Sequence, residues 1–235
     1  MKLDALFFAA HPDDAELNCG GTILNLTGAG KNVGIADLTK GELSTRGTPA
    51  LRKKETAAAS KLMKIKVREN LSISDGNIQI NEANKKRIIA VIRKYRPEII
   101  FAPFPNDRHP DHIYTGNLIK ESVFYSGLRK VVTESLKEFR PRRIFFYKSA
   151  YDIPVSFIMD ISGIFKKKLE VIKCYSTQFY NPQSNEPETF ISSKLFVNEI
   201  ETRARYFGFK IGAEFGEPFY SIEPLKVTPE NIFEI

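Results

Sequence analysis

No run of apolar residues in the chain approaches the roughly 20 needed to cross a bilayer. Nor does the beginning show a basic segment, an apolar stretch and a small-residue cleavage site in succession. The sequence therefore reads as a cytoplasmic protein with no membrane partner. Tryptophan is absent and cysteine occurs only twice, at Cys19 and Cys174. Two such cysteines make neither a CxxC pair nor a disulfide framework, which fits a reducing compartment and leaves Cys19 as a small core residue. A GxGxxG turn after the first apolar run is also missing, which argues against a dinucleotide-dependent oxidoreductase. Histidine is nearly as scarce as cysteine, yet His11, His109 and His112 all stand in two short segments rich in aspartate.

What is present describes a globular chain. With 42% hydrophobic and 27% charged residues over 235 positions, it can bury one large core, and a single domain spanning 1–235 is expected. The formal charge is +7, but its basic runs, "RKK" at 52–54, "KKR" at 85–87 and "KKK" at 166–168, are scattered over predicted helix surfaces. Solvated helix faces account for them, and the positive field favours an anionic small substrate. A non-catalytic nucleic-acid-binding module is the alternative from a different class. It predicts salt-dependent binding without hydrolysis and leaves the histidine segments unexplained, so no nucleic-acid partner is expected.

Apolar periodicity divides the chain into alternating strands and helices. "LDALFFAA" (3–10) reads as a buried strand, followed by a helix over 16–28, and "NVGIADLT" as the next strand. A helix starts near Pro49, where proline suits the first turn. Then come "ENLSISD" (69–75) as a short strand, a helix over 82–95, "PEIIFAPF" as a strand and a helix closed by Gly127. "RRIFFYKSA", "SFIMDI" and "AEFGEPFYS" complete the strands, with helices over 162–175 and 192–207. This alternation predicts an α/β fold, a Rossmann-like three-layer sandwich with a mostly parallel sheet. The segment 176–189, rich in Asn, Pro, Gln and Ser, reads as its main irregular loop.

Ligands bind such sheets beyond the carboxyl ends of the strands. "HPDD" at 11–14 follows the first strand, and "DRHPDH" at 107–112 follows "EIIFAPF", so the two loops can converge. Imidazole and carboxylate together suit zinc, with iron or cobalt as other occupants of an N/O site. His11 and Asp14, three apart where the chain turns into a helix, can face one point, and His112 can add a third ligand. Asp13 then points elsewhere, placed to take a proton from an attacking water. The simpler reading makes Asp13 and Asp14 helix caps, but capping requires neither histidine.

"AHPDDAELNCGG" with "RHPDH" resembles the zinc-dependent N-deacetylases of the LmbE/PIG-L superfamily, which act on N-acetylglucosamine conjugates. "DLTKGELSTRGT", "LRKKETAAASKLM", "YRPEIIFAPFPNDRHPDH" and "IETRARYFGFKIGAEFGEPF" are similar to the bacillithiol-biosynthesis branch. The resemblance implies one zinc per subunit on His11, Asp14 and His112, Asp13 as general base and then acid, His109 stabilising the oxyanion, and Asp111 orienting His109. In mycothiol deacetylases a tyrosine occupies the position of Asp107, so that role is missing here. The implied substrate is N-acetylglucosaminyl malate, with a GlcNAc-containing substrate such as chitobiose as the alternative. The two malate carboxylates suit arginine forks, for which Arg52, Arg108 and Arg46 are candidates, and Asp75 suits sugar hydroxyls. The resemblance also implies a homo-oligomer, trimer or hexamer.

Overall fold

The computed structural model describes residues 1–229. Seven strands form one sheet: β1 (Ala5–Ala9), β2 (Val33–Asp37), β3 (Val67–Asn70), β4 (Ile99–Pro103), β5 (Arg143–Tyr147), β6 (Phe157–Asp160) and β7 (Gly216–Ser221). Their order is β3-β2-β1-β4-β5-β7-β6. The first five run parallel, whereas β7 is antiparallel to both β5 and β6. The expected three-layer α/β arrangement is the one observed.

Alternation along β1 shows why both faces of the sheet must be covered. Ala5, Phe7 and Ala9 enter one buried cluster with Cys19 and Ile23, while Leu6, Phe8 and Ala10 enter another with Ile88, Ile92 and Leu118. A strand buried on both sides needs helices on both sides. α1 (Asp14–Gly28), α2 (Pro49–Met63), α5 (Phe165–Lys173) and α6 (Lys194–Phe209) supply the first layer, and α3 (Glu82–Tyr95) and α4 (Pro110–Ser126) the second. Phe7 stacks on Phe101 of β4 with ring centroids 4.3 Å apart, and burial of each such ring contributes roughly 1.5–3 kcal/mol.

Local signals set the helix starts. Thr48 caps α2 by accepting from the Leu51 amide with Pro49 behind it, and Asn81 caps α3 by accepting from the Asn84 amide. Two segments differ from expectation. The strand expected at 69–75 runs Val67–Asn70, because the main chain turns after Asn70, whose side chain accepts from the Ser72 amide. The helix expected from 162 opens with a 3-10 turn, Ser162–Ile164, before α5.

α1 is fixed by buried ion pairs. Glu217 of β7 accepts from the Gly21 and Thr22 amides at 2.9 and 2.7 Å and pairs with Lys168 of α5 at 2.8 Å. Nearer the N-terminus, Glu16 bonds to Arg68, which also pairs with Asp37 at 2.7 Å. The start of α1 is thereby held against the carboxyl edge of the sheet. There the strand order reverses between β1 and β4, the topological switch point at which parallel sheets open a crevice.

Candidate active site

His11 leaves β1 and Asp14 begins α1, while His109 caps α4 and Asp111 and His112 lie in its first turn. The two loops converge as their positions require. Centroids of the three imidazoles are 4.8, 5.6 and 4.9 Å apart. Asp14 stands between two of them, its Oδ1 3.2 Å from His112 Nε2 and its Oδ2 3.5 Å from His11 Nδ1. Ligand atoms of His11, Asp14 and His112 all fall within 4.8 Å of one another.

The outer nitrogens of both histidines are held by carboxylates. His11 Nε2 lies 3.0 Å from Asp75 Oδ1 and 3.2 Å from Asp111 Oδ2, and His112 Nδ1 lies 3.0 Å from Asp107 Oδ1. Such partners fix the tautomer, turn the free nitrogens inward and raise ligand basicity. His11, His109 and Asp111 form a second close group. Within it, Asp111 Oδ2 accepts from the Gly76 amide and His109 Nδ1 from the Asp111 amide, which leaves Nε2 as the open nitrogen of His109.

Electrostatics favour a cation between the loops. Burial works against charging either imidazole. Hydrogen bonds with Asp111, Asp14 and Asp75 nevertheless raise His11 well above its usual range, and Asp14 with Asp107 lifts His112 to about 9. The two histidines in turn hold the Asp14 carboxyl well below the usual range despite burial. A site that stabilises positive charge and offers two imidazoles and a carboxylate fits a divalent ion such as zinc.

Asp13 is a different kind of carboxylate. Burial raises its pKa to about 7, with Arg52 opposing the rise. Its side chain makes no helix-capping hydrogen bond, so the capping explanation does not hold for it. Its φ of 141° lies where residues with a Cβ are strained, and such strain collects at functional sites.

The remaining candidates separate cleanly. Arg52 is 4% exposed, so it is not a solvated residue of a basic helix. Its guanidinium donates to Pro12 O at 2.6 Å, Asp13 Oδ2 at 3.2 Å and Ser44 Oγ at 2.9 Å. Arg46 does not line the cavity. It donates to Ser184 Oγ at 2.6 Å and so ties down the irregular 176–189 segment. Arg108 lines the mouth, exposed, with its guanidinium 4.2 Å from the centroid of Phe190. Among the described residues, no hydrogen bond or ion pair engages it.

Two further candidates make contacts other than those expected. Asp111 does not orient His109 through its carboxylate, which faces His11. Its backbone amide donates to His109 Nδ1 at 3.2 Å instead, because the first turn of α4 sends the side chain toward β1. Asp75 lines the cavity, but its oxygens already meet His11 Nε2 and the Leu43 amide, so positioning His11 is the role its contacts describe. The part played by Asp107 was missed. The available signal was a carboxylate in the same loop as a candidate ligand histidine.

These residues surround a cleft of about 540 Å³ whose far wall carries Phe179, Phe190 and Phe196. A doubly wound sheet with a paired histidine-aspartate centre and a buried carboxylate poised near neutrality is the arrangement that metal-assisted activation of water requires. The chain belongs to the PIG-L family, described as GlcNAc-PI de-N-acetylase, whose profile matches residues 6–123. It is accordingly a deacetylase acting on amide bonds. It is 29% identical over 221 residues to the diacetylchitobiose deacetylase of Thermococcus kodakarensis, covering 88% of this chain and 78% of that one. A probable N-acetyl-alpha-D-glucosaminyl L-malate deacetylase 2 of Bacillus cereus is 31% identical over 136 residues, 52% of this chain and 62% of that one. The crystal structure of a conserved protein from Thermus thermophilus superposes with a TM-score of 0.88 at 35% identity, covering 97% of this chain and 98% of that one.

Proposed function

We propose that the protein is a zinc-dependent N-deacetylase that converts N-acetylglucosaminyl malate to glucosaminyl malate and acetate, a step of bacillithiol biosynthesis. The observation that carries the substrate choice is Arg108. A guanidinium at the mouth, oriented on Phe190 and claimed by no other group among the described residues, is suited to a carboxylate held by both prongs. A second reading, diacetylchitobiose, is favoured by the longer coverage of the Thermococcus relative.

In this reading His11, Asp14 and His112 hold the ion. When bound, zinc lowers the pKa of a water molecule and polarises the acetamide carbonyl. Asp13 accepts a proton from the attacking water and later delivers it to the departing nitrogen, giving acetate and a free amine. His109 donates to the carbonyl oxygen as negative charge develops there. It does so as the neutral imidazole: Nδ1 accepts from the Asp111 amide, which leaves the hydrogen on Nε2. Burial and the nearby His11 and His112 lower its pKa, in keeping with that form.

Free-amine release from N-acetylglucosaminyl malate, N,N'-diacetylchitobiose and N-acetylglucosamine, with metal-stripped and zinc-restored protein, tests the proposal. Zinc-dependent turnover that prefers the malate conjugate is expected. Preference for diacetylchitobiose would move the assignment to the second reading.

A further inference from the structure

The late segment "IETRARYFGFKIGAEFGEPF" (200–219) supplies no residue to the chemistry described above, yet Arg203 from it reaches the cleft. Arg203 sits on α6 with its side chain 12% exposed. Its Nη1 donates to the main-chain oxygen of Ser149 at 3.0 Å, and its Nε faces Glu199 at 3.6 Å. Ser149 belongs to the turn that follows β5. From there its hydroxyl lies 3.0 Å from His112 Nδ1, the same distance as Asp107 Oδ1. The next residue closes the arrangement, since the Ala150 amide donates to Asp107 Oδ2 at 2.8 Å.

The turn after β5 therefore touches both the outer nitrogen of His112 and the carboxylate beside it. A neutral imidazole with Nε2 free for a metal carries one hydrogen on Nδ1, and two oxygens stand ready to share it. Turns of this kind are mobile unless their main chain is held. The holding contact comes from α6, which also carries Phe196 on the wall of the cleft.

We propose that Arg203 and Ser149 are positioning residues for His112: Arg203 fixes the main chain of the turn, and Ser149 shares with Asp107 the task of orienting the imidazole toward the ion. This rests on the reading of His112 as a metal ligand. Partners of ligand histidines commonly change metal affinity by about 10-fold to 100-fold when removed, so loss of either residue should weaken zinc binding within that range. Because Arg203 acts through Ser149, the double variant should lose no more than the weaker-binding single variant.

Zinc dissociation constants, measured by competition with a chromophoric chelator, test this alongside the thermal midpoints of the metal-free proteins. Ser149→Ala and Arg203→Met are expected to raise the constant about 10-fold or more, Ser149→Ala without moving the metal-free midpoint, and Ser149→Thr, which keeps the hydroxyl, to restore it. His112→Ala, run in parallel, should lose stoichiometric binding. Wild-type affinity in Ser149→Ala with binding lost in His112→Ala overturns the proposal and leaves the ligand reading intact. Wild-type affinity in His112→Ala overturns both. Should Arg203→Met fail to fold, Ser149→Ala and Ser149→Thr decide the matter alone. Losses that add fully in the double variant would show that Arg203 does not act through Ser149.

Discussion

Arg52 Nη1 stands 3.2 Å from Asp13 Oδ2 and 2.6 Å from Pro12 O, so one buried guanidinium grips both the proposed base and the backbone that carries it. Its positive charge favours the ionised carboxylate and opposes the upward pull of burial, which leaves Asp13 near 7. The base works only when ionised, so kcat/KM should fall as pH drops through this pKa. Arg52→Met removes the opposing charge and should move the acidic limb of the kcat/KM profile to higher pH, while Arg52→Lys should move it less. An acidic limb that stays in place in Arg52→Met would mean that Asp13 does not set it.

Arg108 differs from Arg52 in having its donors free. Hydrogen bonds to charged groups contribute roughly 1.5–3 kcal/mol, so Arg108→Leu should lower kcat/KM on N-acetylglucosaminyl malate by about 10-fold to 100-fold. Turnover of the neutral N,N'-diacetylchitobiose should be nearly unchanged. Equal losses on both substrates would assign Arg108 to a part common to the two sugars and remove the support for an anionic aglycone.

The fold was legible because its signals are local. Alternation in "LDALFFAA" and the apolar spacing of 82–95 each fix an element without reference to the rest of the chain. The convergence of His11 with His112 was equally readable, since topology alone brings the ends of β1 and β4 together. What could not be read depends on azimuth and on distant contacts. Whether Asp111 turns its carboxylate or its amide toward His109 is settled by a rotation within one helical turn. Arg52, Arg108 and Arg46 look alike as letters, and only burial and partners separate a grip on Asp13, a free fork and a loop anchor. Ser149 carries no motif, and its place beside His112 follows from where β5 ends.

Ligand and base should come apart on substitution. Asp13→Ala is expected to keep its zinc and reduce turnover by about 10²-fold to 10⁴-fold, the range of general acid-base catalysis. His112→Ala should lose metal before any question of turnover arises. Metal content by atomic emission, compared with single-turnover rates, checks the division. An Asp13→Ala protein that binds no zinc and regains activity when zinc is added in excess would make Asp13 a ligand.

The backbone at Asp13 offers a test of strain that is independent of activity. A φ of 141° with ψ −23° places its Cβ in a conformation that costs side-chain-bearing residues roughly 1–3 kcal/mol, and the neighbouring bonds to Pro12 and Arg52 hold it there. Alanine at this position removes the buried carboxylate but keeps the Cβ and hence the strain. Glycine removes both, at an added entropic cost of roughly 0.5–1 kcal/mol. Asp13→Gly should therefore be more stable than Asp13→Ala by about 1 kcal/mol in urea denaturation, although glycine elsewhere in folded chains usually destabilises relative to alanine. Both variants lack the base and should be comparably slow, so a difference in stability with no difference in turnover isolates the backbone term. If Asp13→Ala proved the more stable of the two, the unusual φ would carry no stored strain, and the geometry at the start of α1 would be set by its contacts alone.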